Sequence, residues 1–381
     1  MLVSQVYELV NTAAKEYIGE TAVLNEDLSN IKLFGEELFD ATSVDNYVKS
    51  LVDHIAKVIF VNRPYSGIAP SLYADAWEFG SVLEKVNGGL YEAQENEAWN
   101  LQDGKVYETQ QFYKPIATVK FFSNKETFMI PISITEKQVK SAFSTPTQLN
   151  SFISMIFNDI EKSLTARIDK LILMTLATMT GKTIKDGVEG KTKYNILKEY
   201  NTLHGTTLTT RNCMTDPEFI RYAILRMNLI CSRMRVLGKA FNIGKQPRFT
   251  TKDHLKCVML DEFKESVGVY LYNANGQFSV DHLKLAEAET VPFWQGQGDK
   301  FEFEEISKIH VQLPDNGGEV EQTGIIAVAF DKEAVMMANT NKYVTAAPYN
   351  AVGEFTNNYF KYENSFFIDT NENFVVFYIA D

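Results

Sequence analysis

Residues 145–181 read TPTQLNSFISMIFNDIEKSLTARIDKLILMTLATMTG, and this stretch decides the architecture. Thr145 stands at an N-cap, Pro146 at the first helical position and Gln148 three places after the threonine, which is a capping box. Leu149, Phe152, Ile153, Ile156, Phe157, Ile160, Leu164, Ile168, Leu171, Ile172 and Met179 then mark one apolar stripe at helical spacing. Gly181 supplies a stop signal. The expected helix covers about 35 residues, or roughly 50 Å. That is too long for an ordinary domain helix and too singly striped for a membrane. Charge pairing at e and g positions does not persist, so a coiled coil is not indicated. The reading is a strut crossing a flat molecule.

On the N-terminal side, Phe128, Ile130, Ile132 and Ile134 alternate with Thr127, Met129, Pro131 and Ser133. This is the period of a half-buried strand, and 116–134 reads as a β-hairpin turning at Ser123–Glu126. Pro131 has no N–H for a ladder, so its strand should face an edge or a bulge there. Residues 64–114 hold Pro64, Pro70 and glycines 67, 80, 88, 89 and 104, and no long amphipathic helix fits. Tyr73, Trp77, Phe79, Tyr91 and Trp99 lie along this excursion. Two readings stand: a projecting β-arm laid on a neighbouring subunit, or a long loop folded back on its own core. Before it, Ser43 can cap a helix over 43–60, ended by Asn62-Arg63-Pro64. Residues 1–40 read as an arm with pieces of helix.

On the C-terminal side, 182–214 is rich in Lys, Gly and Thr and reads as loops with short strands. Asp216-Pro217-Glu218 opens a helix to about Leu237, stopped by Gly238. Residues 257–260 and 324–330 read as buried strands. Asp331-Lys332-Glu333 begins a short helical turn, and 351–368 and 374–379 are aromatic, β-rich segments.

The 381 residues carry 37 Lys+Arg and 49 Asp+Glu, a net charge of −12, with 45% apolar residues. This is globular composition, ample for a core. The acidic balance argues against a protein that coats duplex DNA, which needs concentrated Lys and Arg. No apolar run reaches membrane-span length. The N-terminus lacks the features of a signal peptide. Cys213, Cys231 and Cys257 are scattered and odd in number, which fits reduced thiols rather than a disulfide framework.

The search for chemistry is negative. Gly181-Lys182-Thr183 ends like a phosphate-binding loop, but position 176 is Leu176 and no strand precedes it, so a helix C-cap is the better reading. The five histidines are dispersed and no C-x-x-C occurs, so zinc has no support. Gly296-Gln297-Gly298 lacks the rest of a dinucleotide fingerprint. Asp261-Glu262 and Glu304-Glu305 are adjacent, which on a strand sends the side chains to opposite faces. Arg221, Arg226, Arg233 and Arg235 form a basic helix face, read as solvated rather than as a phosphate site.

The joint order of these parts resembles the major capsid proteins of tailed bacteriophages, with closest likeness to those of phages infecting Gram-positive bacteria. SVDNYVKSLVDHIAKVIFVNRPY at 43–65 looks like the helix before that family's E-loop. FMIPISITEKQVKSAFSTPTQLNSFISMIFNDIEKSLTARIDKLILMT at 128–175 looks like the strand leading into its spine helix. IIAVAFDKEAVMMANTNKYVTAAPYNAVGEFTNNYFKYENSFFIDTNENFVVFYI at 325–379 looks like the last A-domain strand and the returning P-domain segment. The resemblance implies an α+β, Hong Kong 97-like capsid fold with N-arm, extended β-hairpin E-loop, long spine helix, P-domain sheet and A-domain.

The implied division is 1–63 N-terminal arm and helix, 64–114 E-loop, 115–181 P-domain strands and spine helix, 182–330 A-domain, and 331–381 P-domain return. The implied function is a shell of hexamers and pentamers around packaged double-stranded DNA. The chain would be no enzyme and need no cofactor or metal. Its partners would be itself, a separate scaffolding protein and a portal, with DNA as enclosed cargo and no membrane. It would be assembled in the host cytoplasm and reside in the virion capsid. Tyr73, Trp77, Phe79, Tyr91 and Trp99 are then the inter-subunit contact candidates. Some relatives join an E-loop lysine to a P-domain asparagine. Lys85, Lys105, Asn357 and Asn358 lie in those regions but match no motif, and no cross-link is expected. An encapsulin-like nanocompartment shell is the alternative, and an unrecognised enzyme a further one.

Overall fold

The computed structural model describes residues 11, 72–74, 83–88, 93, 96–107, 110, 112, 114, 117–135, 137–138, 146–270, 288–295, 302–314 and 317–381. The expected helix at 43–60 and most of the expected N-terminal arm lie outside them. The described strands are β1 (Tyr73–Ala74), β2 (Leu83–Gly88), β3 (Ala117–Phe122), β4 (Lys125–Thr135), β5 (Lys193–Asn195), β6 (Leu255–Leu260) and β7 (Ala288–Val291). They continue with β8 (Ile309–Gln312), β9 (Glu319–Gln322), β10 (Ile325–Asp331), β11 (Val335–Ala346), β12 (Phe355–Ile368) and β13 (Phe374–Tyr378). The main helices are α1 (Pro146–Asp186), α2 (Ile196–His204), α3 (Pro217–Arg233) and α4 (Asp261–Tyr270), with one turn at Phe303–Ile306.

The chain divides into two compact units: 1–78, 125–176 and 336–366 form the first, and 79–124, 177–335 and 367–381 the second.

In the first unit the sheet order is β1-β11-β12-β4. β12 alternates, burying Thr356, Asn358, Phe360 and Tyr362 while their neighbours are half-exposed. Tyr362 pairs in register with Phe128, and the rings stack at 5.2 Å. β4 ends the sheet, so the missing N–H of Pro131 falls on an edge strand, as its chemistry requires. Ile156, Ile160, Leu164, Ile168, Leu171 and Ile172 of α1 are all buried. Arg167 pairs with Glu126 and lies over the Phe128 ring at 6.0 Å.

In the second unit the sheet order is β5-β13-β10-β6-β7. β10 is buried at every position, and its neighbours β13 and β6 are nearly so, giving the continuous apolar runs of strands covered on both faces. On α3, Phe219, Ile220, Ala223, Ile224, Met227 and Ile230 form the buried face. Asp216 caps that helix by accepting from the Glu218 and Phe219 N–H groups, both at 2.9 Å.

Several expectations need correction. The long helix does not stop at Gly181: α1 has 41 residues and ends at Asp186. Gly181 is a close-packing residue, since a Cβ there would lie 2.5 Å from Val311 Cγ2. Its Gly-Lys-Thr segment is therefore helix interior rather than a C-cap. β3 and β4 do not form a hairpin together, because β3 pairs with β2 and β4 with β12. The stretch read as loops holds α2, with Asn195 accepting from the Lys198 N–H at 3.1 Å and Gly205 closing it at φ 64°. α3 ends at Arg233, short of Leu237. The short turn expected at Asp331-Lys332-Glu333 is present between β10 and β11, closed by the Ala334 N–H donating to Asp331 O at 2.8 Å. Asp261-Glu262 and Glu304-Glu305 are not on strands but open helices, where their charges favour the positive end of the dipole.

Candidate functional site

The β2–β3 hairpin is antiparallel, with Lys85 opposite Lys120 and Val86 opposite Val119. Side chains alternate across a strand, so the hairpin has two faces. An ordinary hairpin on a core turns its apolar face inward. This one is inverted in part: its inward face carries both lysines beside Phe122, whose ring stacks on Phe367 at 4.9 Å. The lysines point in, while Val86, Val119 and Phe121 are 61%, 45% and 66% exposed.

Two cations directly opposite each other repel, and burial raises the cost. The answer lies in the turn between β12 and β13. Asp369 takes Lys120 Nζ at 2.7 Å on one carboxylate oxygen and Lys85 Nζ at 3.2 Å on the other. Lys85 also reaches Glu372 at 2.9 Å and Glu333 at 3.2 Å. Glu372 in turn takes Arg248 Nε at 3.1 Å. The Asp369 side chain is fully buried, with Glu372 and Lys85 only 8% and 12% exposed. Three cations thus meet three carboxylates at the root of the hairpin.

The turn is built to present those acids. The Asp369 N–H donates to Ala334 O at 2.7 Å, and its carboxylate accepts the Asn371 N–H at 3.0 Å, an Asx-type closure. Asn373 donates to Thr250 Oγ1 at 3.0 Å. Gly244 passes so close that a Cβ would sit 2.1 Å from Asn371 Oδ1. Burial works against the charge on Lys85, but the hydrogen bond and charge of Glu372, with Asp369 and Glu333, outweigh it and hold its pKa above the ordinary lysine value. Burial likewise opposes ionisation of Asp369, yet the Lys120 hydrogen bond, the Asn371 N–H and both lysine charges hold its pKa below the ordinary carboxylate value. Both groups are fixed in their charged forms.

Beyond the strands, Trp99 is 89% exposed, Leu101 68%, Val106 84% and Phe112 83%. Gly104, at φ 82°, makes the turn among them, and the Gln102 N–H donates to the Tyr107 hydroxyl at 2.9 Å. Of the five contact candidates, Trp99 is thus placed on this exposed apolar surface. Tyr73 lies on β1, in parallel register with Met337. Trp77, Phe79 and Tyr91 lie outside the described residues. Sequence reasoning missed Leu101, Val106, Phe112 and Phe121. Their signal was apolar side chains among glycines and charges, with Lys120 flanked by Val119 and Phe121.

The first unit carries a groove of about 410 Å³ between β4 and α1, lined by Ile130, Ile132, Ile134, Phe152, Met155 and Ile156 among others. Asn358 is fully buried, and Asn357 accepts from Ser133 Oγ at 2.6 Å. The three cysteines are free and buried, and burial pushes the Cys213 and Cys231 thiols up to about 12. Among the described residues no group of three or more His, Cys, Asp or Glu side chains is placed to hold a metal. None of their helices is long and apolar enough to cross a membrane.

Comparison with known proteins gives these features a common meaning. A capsid structure of Staphylococcus phage Andhra is similar over 84% of this chain and 86% of its own, with a TM-score of 0.50 and 10% identity. A chain in the structure of the head fiber and inner core protein gp22 of native bacteriophage P68 is similar over the same shares, with a TM-score of 0.50 and 9% identity. At such identities the likeness concerns the fold, which is the Hong Kong 97-type capsid fold. No curated protein matches. A family model described as Phi29-like phage major capsid protein matches residues 7–378. An inverted hairpin that hides charge and shows apolar side chains, a 41-residue helix and a capsid fold converge with that match: the chain belongs to the Phi29-like phage major capsid protein family.

Proposed function

We propose that copies of this capsid protein close into hexamers and pentamers of a shell around packaged double-stranded DNA, with residues 64–114 and the flanking strands serving as the arm between neighbours. The observation that carries this is the inverted hairpin. A monomer gains nothing from exposing Val86, Phe121, Trp99 and Phe112, whereas a neighbour that covers them recovers roughly 25 cal/mol for each Å² of apolar surface removed from water. The charged root holds the arm in place before the neighbour arrives, which lowers the ordering cost of association. The β4–α1 groove, where isoleucines and Phe152 alternate with Ser133, Gln138, Asp159 and Ser163, offers a mixed surface on which such an arm could lie.

The domain division at 1–63, 64–114, 115–181, 182–330 and 331–381 belongs to this reading, as do Tyr73, Trp77, Phe79, Tyr91 and Trp99 as inter-subunit contacts. So do a scaffolding protein and a portal as partners, assembly in the host cytoplasm and the absence of catalysis. Its test is electron microscopy of the purified protein, alone and then with a co-expressed scaffolding candidate. Closed shells or hexameric rings are expected. A uniform small particle in both samples would overturn the reading.

A further inference from the structure

The second unit is charged differently at the two ends of its five-stranded sheet. β10 runs from Ile325 to Asp331, with Tyr378 beside its start and Phe374 and Leu255 beside its finish. The two ends are roughly 20 Å apart.

At the finish lies the segment 233–252, which has six Lys and Arg residues and no Asp or Glu, in a chain of net charge −12. It is fixed there by Phe374 N–H to Phe241 O and Gly244 N–H to Thr370 O, both 2.9 Å. Arg248 is taken up by Glu372, but Arg233, Arg235, Lys239, Lys245 and Lys252 are exposed. Among them Val236, Leu237 and Phe249 are 69%, 48% and 56% exposed. Gly238 and Arg248 exchange both backbone hydrogen bonds, at 3.0 and 2.9 Å, so Leu237 and Phe249 are cross-strand neighbours on one side. The result is an apolar surface with a basic rim.

At the start of β10 lies its complement. Ser307 O accepts the Ile325 N–H at 3.0 Å and Ile306 O accepts the Trp294 N–H at 3.0 Å, which seats the Phe303–Ile306 turn there. Glu302, Glu304 and Glu305 are exposed around the half-buried Pro292, Phe293 and Phe303. Lys308, the cation beside them, is bonded to Glu321 at 2.6 Å.

We infer that the basic-rimmed surface at 233–252 docks against the acidic-rimmed surface around Phe303 of a second copy of this chain, head to tail. The inference rests on the ring-closing reading above and names the contact within it. A duplex phosphate backbone would use the cations but leave Val236, Leu237 and Phe249 in water. The acidic-rimmed surface satisfies both kinds of group. Two different patches on one body, each complementary to the other, form a heterologous interface, the kind that propagates around a ring.

The test uses the full chain under conditions where the unaltered protein assembles, followed by sedimentation velocity and electron microscopy, with thermal melting to confirm folding. Arg235→Glu with Lys239→Glu, and separately Glu304→Lys with Glu305→Lys, should each raise the concentration needed for assembly about tenfold or more, because each sets like charges face to face. The fourfold variant carrying both exchanges should recover assembly with the polarity reversed. A second variant, Phe249→Ser, should weaken assembly without changing its salt dependence. Folded two-site variants that assemble like the unaltered chain, or a folded fourfold variant that stays dispersed, would overturn the inference and leave the shell reading intact. So would loss of short-duplex DNA retention in Arg235→Glu/Lys239→Glu with assembly unchanged, which would make the patch a phosphate surface. An unaltered chain that never assembles would overturn both.

Discussion

In the five-stranded sheet of the second unit, Val328, Phe330 and Phe377 are turned away from water, while the β2–β3 hairpin hides Lys85 and Lys120 and turns Val86 and Phe121 outward. β10 and its two neighbours pair antiparallel, as β2 and β3 do, but β10 is buried on both faces whereas the hairpin has one face inward and one outward. The difference lies in what finishes each one. The sheet is completed by its own helices, so its stability belongs to the single chain. The hairpin is completed inside by ion pairs, and its outer face is left for the neighbour proposed above. Burial alone would rank the hairpin as poorly made, but on the proposed reading its outward face is made for a neighbouring subunit.

That contrast can be broken at graded points. The largest effect on the subunit should come from Phe330→Ala, which removes a ring stacked on Phe374 at 5.4 Å within a fully buried strand. About 4 kcal/mol of stability should be lost, measured by chemical denaturation of dispersed protein. A smaller loss would mean that the sheet tolerates a cavity.

Next comes Asp369→Asn, which leaves Lys85 and Lys120 facing each other without their shared anion. A loss of about 2 kcal/mol is expected, because half-buried Lys120 loses its partner while Lys85 keeps Glu372 and Glu333. The same residue gives a pH signature. The Asp369 pKa is held below its ordinary value in the folded chain, so its contribution is complete at neutral pH. That contribution fades as pH falls through the ordinary carboxylate range and then through the folded value. Acid titration of stability should therefore be steeper for the unaltered chain than for Asp369→Asn, and equal slopes would remove Asp369 from the account.

The smallest effect on the subunit should come from Phe121→Ser. Its melting behaviour should shift by no more than about 0.5 kcal/mol, since the ring touches mainly water in the single chain. Shell or ring formation in light scattering should nevertheless fall sharply. A destabilised subunit, or undiminished assembly, would mean that the outward face serves the chain itself.

Much of the fold could be read from local chemistry. Pro146 opens α1, Asp216 caps α3, and the alternation of 128–134 marks an edge strand with its proline. The failures share a cause: a residue's local signal competes with distant contacts. Gly181 reads as a stop, yet it is glycine because Val311 comes within contact distance. Asn195 and Gly205 are sound caps for α2, but nine residues between them in a Lys- and Thr-rich stretch carry too little periodicity to stand out. By sequence alone β3 reads as the partner of β4, because adjacent strands usually pair, whereas its actual partner β2 lies before a long excursion.

The site was legible in part. Punctuation and composition marked 64–114 as an aromatic excursion, either an arm or a folded-back loop, and Trp99 on it is exposed. Its root was not legible, because Lys85 and Glu372 are 287 positions apart and nothing local marks either.

The placement of that root also sets a load path. The turn at 369–373 is the connection from β12 into β13, and β13 is an interior strand of the sheet, flanked by β5 and β10. Tension applied to the arm does not stop at a surface loop. It passes through Lys85 and Lys120 into a connection that is itself tied to Ala334 and Thr250, and from there along a strand hydrogen-bonded on both sides. The strand is the stiff part of that path and the two lysine–aspartate pairs are its weak link, so the arm should let go at its root while the sheet stays intact.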